Sequence, residues 1–265
     1  MYTTVGSPLR SAILACALIL GVASDASAQE RLSTPAGEIV IRALAHASVR
    51  IDFAGRVIYV DPWSVAGLEH HPASDLIVVT DADAGAHHLD PAALRRLRKE
   101  GGSVVIPASG LAKVPDGIVL GNGARRSFGN VTVEAIAAYD LTPGEPFHPK
   151  GVANGYLLTL GGKRLLFAGV TECVPELRAL ANIDVAFLPM NLPNGRMTPS
   201  AVAECVRDLK PKVVYPYHYD QGYIGRLAGR GSPTGAAEAA ESVRSLAAGL
   251  AGVADVRAAD WYPPR

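Results

Sequence analysis

The sequence predicts an α/β fold of four layers, in which two β-sheets pack face to face and helices cover the outer side of each sheet. Three observations predict it: both halves of the chain are rich in strand-like runs, tight glycine turns join several of these runs, and helix-start signals occur between them. Hydrophobic residues make up 49% of the 265 residues and charged residues 19%, which excludes a disordered chain or a coiled coil.

The first half contains a clear hairpin pattern. Residues 48–53 alternate between apolar and polar with a period of two, Ala54-Gly55 forms a turn, and residues 56–61 return. A preceding strand is predicted at residues 39–44. The continuous apolar run at residues 76–80 predicts a strand that is buried on both faces.

Helix-start signals separate the strands. Asp90 followed by Pro91 predicts an N-cap and a first turn, with the helix continuing to about Lys99. Thr198 and Pro199 predict the same arrangement for a helix that ends near residue 209.

The second half repeats the order of elements seen in the first. A Gly161-Gly162 turn joins two of its strands into a hairpin, and a late helix is predicted at residues 236–248. The strands of this half are predicted at residues 104–106, 131–136, 156–160, 164–168, 184–188 and 212–216.

The N-terminus has the features of an export signal. Arg10 precedes a short apolar run at residues 11–23, and Ala26-Ser27-Ala28 fits a small-x-small cleavage site. The run is shorter than the roughly 20 residues that a membrane-spanning helix needs. We therefore expect residues 1–28 to be a signal peptide and residues 29–265 to form a single domain in the periplasm or outside the cell; a retained N-terminal anchor is the alternative.

The balance of charges limits which kinds of binding partner the sequence predicts. Lys plus Arg and Asp plus Glu both total 25, so no electrostatic feature predicts a nucleic-acid partner or stable membrane association. The expected partner is a small-molecule substrate or ligand, and the sequence does not determine the oligomeric state.

Beyond the signal peptide the cysteines are Cys173 and Cys205. The sequence leaves open whether they form a disulfide or are two buried free thiols.

Polar residues follow three of the predicted buried strands, where folds of this type carry their chemistry. Thr80 precedes a loop with two aspartates and two histidines, Ala168-Gly169 follows a second strand, and His218 follows a third. With His46 and the Asp61-Pro62 pair, these segments resemble the metallo-β-lactamase-fold hydrolases, and most closely their simple bacterial, lactonase-like branch. The resemblance runs in order through nearly the whole chain after the signal peptide.

This resemblance implies an αββα four-layer sandwich and a site for one or two zinc-like ions that activate water as the nucleophile. The family's first ligand loop reads Thr-His-x-His-x-Asp-His. A later histidine, an aspartate after Ala-Gly, and a histidine after the last core strand complete its pattern. Of these positions, His218 keeps both the family residue and its neighbours.

Elsewhere the ligand pattern is altered. Asp81 and Asp83 stand at the first two histidine positions, and His87 and His88 match the last two ligands only if the loop carries an insertion. The middle ligand falls near Asp140. Without an insertion, the last aspartate and histidine positions of the loop hold Gly85 and Ala86, which cannot bind a metal. Val170 stands where the family has a bridging aspartate.

We therefore predict a hydrolase of an ester, lactone or amide with an altered site, in which zinc or another divalent metal is the cofactor. His218 and Asp83 are the predicted catalytic residues. The predicted metal ligands are Asp81, Asp83, His87, His88, Asp140 and His218. His46 is expected to be a hydrogen-bonded core residue behind the ligands, His148 to shape the mouth of the cleft, and Glu172 is a weaker substitute for the lost aspartate.

Two alternatives follow from the lost ligands. In the first, the protein is a metal-free pseudoenzyme that acts as a periplasmic binding or interaction module. In the second, His218 and a carboxylate act as a general base in an enzyme that needs no metal.

Overall fold

The computed structural model describes Met1 and residues 30–82, 87–227, 234–259 and 261–262. Apart from Met1, the predicted signal peptide lies outside the described residues, as do Asp83, Gly85 and Ala86. No helix within the described ranges is long and apolar enough to cross a membrane.

Seven strands form the first sheet, in the order in which they occur in the chain. They are β1 (Glu30–Thr34), β2 (Gly37–Ala45), β3 (Ser48–Phe53), β4 (Arg56–Val60), β5 (Ser74–Val78), β6 (Arg98–Ile106) and β7 (Ile118–Val119). Strands β1 to β4 pair antiparallel, whereas β4 to β7 pair parallel.

Seven further strands form a second sheet with the same plan. They are β8 (Arg125–Phe128), β9 (Val131–Ala138), β10 (Ala153–Leu160), β11 (Lys163–Phe167), β12 (Val185–Pro189), β13 (Val213–Tyr217) and β14 (Asp255–Val256). Here β8 to β11 are antiparallel and β11 to β14 are parallel. The repeated order of elements expected from the sequence is therefore present, except that the strand predicted at residues 104–106 for the second half is the end of β6 in the first sheet.

Helices cover the outer faces of both sheets. The α-helices are α1 (Pro91–Leu97), α2 (Pro175–Arg178), α3 (Pro199–Leu209), α4 (Tyr223–Leu227) and α5 (Thr234–Gly249). Leu94 and Leu97 of α1 pack in one cluster with Ile77 and Val104 of the first sheet. Helices α2, α3 and α5 share a cluster with the second sheet. Two sheets between helix layers confirm the predicted four-layer αββα sandwich.

The second sheet contains an aromatic ladder that secures its parallel strands. Phe167, Phe187 and Tyr215 are in register on β11, β12 and β13. Their rings stack at centroid distances of 4.6 and 5.2 Å. Such cross-strand pairs stabilise a sheet beyond the burial of their area, and this ladder lies beneath the strand ends from which the site residues emerge.

The end of the first helix differs from the prediction. Helix α1 ends at Leu97, and Arg98 already begins β6. Arg98 pairs with Ser74, and the register shifts before the next pair because Gly101 and Gly102 form an irregularity in the strand. A Cβ on Gly102 would lie 2.9 Å from the carbonyl oxygen of Ser74. The glycines thus let the chain enter the sheet earlier than the helix pattern indicated.

Cys173 and Cys205 form a disulfide with a Cα–Cα distance of 5.7 Å. This finding decides between the two possibilities that the sequence left open. The bond joins the loop after β11 to helix α3.

Candidate metal centre

A cavity of about 470 Å³ opens where loops from the two sheets meet. Its polar lining consists of Asp81, His87, His88, His148, His218 and Gln221. Its apolar lining consists of Pro146, Val170, Leu192 and Pro193. A concave site with a few convergent polar groups on an apolar background is the usual form of a small-molecule site.

His46, His87 and His218 form a group, called here the three-histidine cluster, that could hold a metal ion. One imidazole nitrogen from each residue lies within 4.8 Å of the others. His46 Nδ1 and His218 Nε2 are buried and have no hydrogen-bond partner among the described residues. Buried polar atoms are normally satisfied, so these nitrogens indicate a ligand.

The backbone brings His46 and His218 together from different sheets. His46 follows β2 and His218 follows β13, and the His218 amide donates to the His46 carbonyl oxygen at 3.1 Å. Both residues have positive φ values, 56° and 51°. Such values are uncommon for residues with a side chain and concentrate at functional sites.

The segment after His218 is held by the C-terminal part of the chain. The Tyr262 hydroxyl accepts hydrogen bonds from the amides of Tyr219 and Asp220 at 2.8 and 3.0 Å. Gln221 Nε2 donates to the His218 carbonyl oxygen at 2.7 Å. These bonds fix the imidazole of His218 at the end of its strand.

The three-histidine cluster is electrostatically suited to neutral imidazoles. Burial, reinforced by the neighbouring histidines, lowers the pKa of His46 and of His218 well below the ordinary value. Burial also lowers the pKa of His87 to about 3, with His88 and His148 contributing. Neutral imidazole is the form that binds metal ions.

His88 is oriented by a buried aspartate. Asp61 Oδ2 lies 2.7 Å from His88 Nδ1, and Asp61 also accepts hydrogen bonds from the amide and hydroxyl of Thr80. Burial opposes a charge on His88, but the charge and hydrogen bond of Asp61 outweigh it and raise the pKa of His88. His88 Nε2 is buried without a hydrogen-bond partner in the described ranges, and the ring stacks on His218 at 5.1 Å.

His148 has a comparable support. Asp140 Oδ2 accepts from the His148 amide at 2.9 Å and lies 3.0 Å from His148 Nδ1, and it also pairs with buried Arg196. His148 Nε2 lies 3.6 Å from Asp81 Oδ2. Although burial opposes ionisation, the hydrogen bonds from His148 and the charge of Arg196 lower the pKa of Asp140. Asp140 is therefore ionised and fixes the orientation of the His148 ring.

Comparisons with known proteins agree on one family. Residues 40–218 match the model of the beta-lactamase superfamily domain. A UPF0173 metal-dependent hydrolase of Symbiobacterium thermophilum is 30% identical over 199 residues, which cover 68% of this chain and 83% of the relative. The chain belongs to the metallo-β-lactamase-fold superfamily.

Solved structures support the same assignment. A candidate metal-dependent hydrolase from Parabacteroides distasonis has a TM-score of 0.74 and 33% identity, over 88% of this chain and 98% of that one. A metallo hydrolase from Ignicoccus hospitalis shares the fold, with a TM-score of 0.64 and 20% identity over 85% of this chain and 96% of that chain. The protein is thus a metal-dependent hydrolase-like member of the superfamily.

The superfamily comparison makes the loop after β11 informative. Gly169 has a φ of 73°, and a Cβ there would lie 2.8 Å from the carbonyl oxygen of Asn154, so the Ala-Gly turn needs its glycine. Val170, which the sequence resemblance places where the family has a bridging aspartate, lines the cavity and is 5% exposed. The structure therefore presents an isopropyl group at this point of the cavity wall.

The structure brings some of the predicted site residues together at the cavity and places others away from it. The structure brings His87 and His218 into the three-histidine cluster and places Asp81 and His88 in the cavity lining. Asp140 supports His148, and Asp83 lies outside the described residues. Glu172 does not line the cavity, since its carboxylate accepts hydrogen bonds from the amides of Leu141 and Thr142.

The sequence analysis expected less of His46 and His148 than the structure shows. His46, expected behind the ligands, contributes a nitrogen to the three-histidine cluster. His148, expected at the mouth, lines the cavity with 12% of its side chain exposed. The available signal for His46 was its position directly after a strand, which it shares with His218.

Proposed function

We propose that the protein is a metal-dependent hydrolase of an ester, lactone or amide, and that His46, His87 and His218 hold a catalytic divalent ion. The main support is the three-histidine cluster, in which buried nitrogens without partners in the described chain converge beside a cavity of small-molecule size. Membership of a superfamily that contains metal-dependent hydrolases supports the reaction class.

The donor set fits a transition metal. Imidazole ligands suit zinc, iron, nickel and copper, and three protein ligands leave a position open for water or substrate, as in catalytic zinc sites. The lowered pKa values of His46, His87 and His218 reduce the competition from protons at neutral pH. We propose zinc or another divalent ion that prefers nitrogen as the cofactor.

The surrounding residues support the chemistry in distinct ways. A bound divalent ion supplies Lewis acidity and lowers the pKa of water. Asp61 holds His88, whose ring packs on His218, and Asp140 holds His148 beside Asp81. Asp81 is the acidic residue among the described lining residues, and we propose that it acts as the general base toward water. Asp83 remains a predicted catalytic residue.

Metal content of the purified protein tests the proposal. The protein is expressed without its signal, purified without chelator or affinity metal, and analysed by elemental mass spectrometry before and after incubation with zinc, manganese or iron. We expect about one ion per chain, lost in His218→Ala and retained in His70→Ala, a control histidine that is exposed and outside the cavity.

The same experiment addresses the metal-free alternatives. Absence of metal even after incubation would contradict the proposal and favour a binding module. Turnover that survives chelator but is lost in His218→Ala would instead favour the general-base enzyme. Metal-dependent hydrolysis of a panel of esters, lactones and amides would support the proposed reaction.

We also propose that the protein is exported to the periplasm or beyond after removal of residues 1–28. The disulfide between Cys173 and Cys205 supports this location, because disulfides persist in oxidising compartments and are rare in the cytosol.

A further inference from the structure

A second cavity, of about 420 Å³, lies at the edge of the second sheet that is opposite to the three-histidine cluster. Strands β11, β12 and β13 run parallel, so their first residues share one edge of the sheet and their last residues share the other. Lys163 begins β11, Asp184 and Lys212 directly precede β12 and β13, and all three line this cavity. Val170 and His218, which line the cavity of the candidate metal centre, follow the other ends of β11 and β13. The second cavity, called here the basic cavity, is therefore separate from the metal centre.

The described lining of the basic cavity carries more positive than negative charge. Its cations are Lys163, Arg164 and Lys212, and its acidic residue is Asp184. The Asp184 carboxylate lies 2.7 Å from Lys212 Nζ and 3.7 Å from Lys163 Nζ, and it accepts a hydrogen bond from the Arg164 amide at 2.9 Å. Although burial opposes ionisation, the hydrogen bonds from Lys212 and from the Arg164 amide lower the pKa of Asp184. Three cations and one ionised carboxylate leave an excess of two positive charges in this lining.

The side chain of Arg164 is the cation that most clearly lacks an anion. Arg164 is half-buried on β11, and its Nε is buried without a hydrogen-bond partner in the ranges that the structure describes. Asp184 does not pair with it, because the Asp184 carboxylate contacts the two lysines and the backbone amide of Arg164. Solvated lysines at the edge of a sheet are common, but a buried charged donor without an acceptor is costly. This nitrogen therefore indicates a ligand that carries acceptor oxygens.

The wall beside these cations is formed where turns of the two sheets meet. The Gly161-Gly162 turn has φ values of 54° and 84°, and a Cβ on Gly161 would lie 2.4 Å from the hydroxyl oxygen of Thr34 at the end of β1. Only glycine allows the two segments to approach so closely with this backbone. Ser33 and Asn182 line the same cavity and add a hydroxyl and an amide group. The basic cavity thus combines positive charge with neutral donors.

From these observations we infer that the basic cavity is a second ligand site, which binds a phosphate group. A phosphate monoester carries about −1.5 to −2 charges at pH 7, which matches the excess of two, and its oxygens accept charge-assisted hydrogen bonds from arginine and lysine. A volume of about 420 Å³ is in the range of small-molecule sites and has room for the group that carries the phosphate. This inference goes beyond the proposed hydrolase, since no step of that reaction uses the basic cavity.

Titration with sodium phosphate tests the inference on the ¹⁵N-labelled protein without its signal peptide. Chelator is added first so that no bound metal ion competes for phosphate, and sodium chloride keeps the ionic strength constant. We expect saturable shifts of the amide resonances of Gly161, Gly162 and Asn182. Saturable shifts confined to other parts of the chain, such as the surroundings of His218, would overturn the inference. The absence of any saturable shift beyond the effect of chloride would also overturn it.

Variants identify the groups that bind the phosphate. Arg164→Gln should weaken phosphate binding at least about tenfold, because it removes a charge-assisted hydrogen bond. Lys212→Gln should weaken it severalfold without disturbing the fold, since the Lys212 side chain is 73% exposed. Arg95→Gln is the matched control, because Arg95 is exposed on α1 and lies outside the basic cavity, and it should change the affinity by less than about twofold. Equal losses in Arg95→Gln and Lys212→Gln would reduce the effect to net charge and contradict the site.

Thermal melting provides a second measurement of the same binding. Phosphate should raise the melting temperature of the original protein and of Arg95→Gln, because a ligand that binds the folded state stabilises it by mass action. The rise should be much smaller in Arg164→Gln. An equal rise in Arg164→Gln and in the original protein would argue against the role of the guanidinium and overturn the inference.

Vesicles distinguish a lipid headgroup from a soluble phosphate compound as the source of the group. Cosedimentation with phosphatidylglycerol vesicles that is lost in Arg164→Gln and competed by free phosphate would identify a headgroup. Phosphate binding without cosedimentation would identify a small soluble compound, and either result supports the inference. Cosedimentation that is unchanged in Arg164→Gln would contradict it. These measurements use metal-free protein and no substrate, so their failure is distinguishable from failure of the proposed function.

Discussion

At the residue scale, the arrangement of the site depends on buried aspartates that bond to the cavity-lining histidines and fix their orientation. Asp61 is fully buried with a φ of 43°, and its carboxylate accepts two hydrogen bonds from Thr80 and one from His88. The backbone carbonyl of Asp61 also accepts from the Ser48 hydroxyl at 2.5 Å. A buried carboxylate with all of these partners fixes one orientation of His88, and through ring stacking it supports His218.

Asp61→Asn tests this support. The amide keeps the shape of the side chain but presents NH₂ hydrogens to a set of donors, so we expect a loss of about 2–4 kcal/mol in the free energy of unfolding of the metal-free protein. Urea denaturation measures it. Asp116→Asn is the control, because its side chain is 66% exposed, and it should cost under about 0.5 kcal/mol. Equal losses in the two variants would argue against the buried network.

The titration of the three-histidine cluster gives a second prediction at this scale. Burial lowers the pKa of His46, His87 and His218 in the folded protein, so below the ordinary pKa of about 6.5 the unfolded chain binds more protons. The free energy of unfolding of the metal-free protein should therefore fall as the pH drops from about 6.5, through the pKa of about 3 for His87.

Comparison with His87→Gln isolates this contribution. Each histidine adds a slope of up to about 1.4 kcal/mol per pH unit, so the variant should lose stability less steeply between pH 6.5 and pH 5. The raised pKa of His88 acts in the opposite sense, since its contribution is lost as the pH rises, but it is present in both proteins. If the free energy of unfolding falls with pH at the same slope in both proteins, His87 does not titrate as described.

At the scale of the elements, the disulfide links the cavity to a helix. Cys173 lies three residues after Val170, and Cys205 lies in α3, whose apolar face packs on the second sheet. In the same loop, Thr171 Oγ1 accepts from the amide of Tyr139, and Glu172 binds the amides of Leu141 and Thr142. The disulfide thus anchors a loop that carries the cavity wall and supports the segment leading to His148.

Removing the disulfide should lower stability rather than alter the fold. The cysteines are 32 residues apart, which corresponds to about 3–4 kcal/mol of chain entropy in the unfolded state. Urea denaturation of Cys173→Ser/Cys205→Ser measures this loss. Reductant should destabilise the original protein but leave the double variant unchanged. If the original protein resists reductant and matches the variant, the bond contributes nothing to stability.

At the scale of the whole molecule, the proposed export predicts that cleavage of the signal peptide accompanies formation of the disulfide. Expressed with residues 1–28 in a Gram-negative host, the protein should be recovered from the periplasm with Gln29 as its first residue. Intact mass spectrometry, before and after alkylation, gives the cleavage site and the state of the cysteines. A cytoplasmic product that retains Met1 and alkylates at Cys173 and Cys205 would contradict the proposed export.

The sequence by itself determined the layered fold and the loops that carry chemistry. Alternating and continuous apolar runs report the local environment of a strand, so the hairpins and most core strands were predicted close to their observed limits. Short elements were missed, among them β1, β7, β8 and β14, because pairing with a neighbour defines them more than their own pattern does. The positions of Asp81, His87, His88 and His218 after strands placed them at the loop edge of the fold.

Only the tertiary structure decided which of these side chains meet and what supports them. His46 joins His218 because the ends of β2 and β13 are hydrogen-bonded across the two sheets. His148 reaches the cavity because Arg196, 56 residues further along than Asp140, holds the aspartate that orients it. Local sequence patterns report burial and strand direction but not distances between remote segments. The assembly of the site therefore follows from the packing of the two sheets.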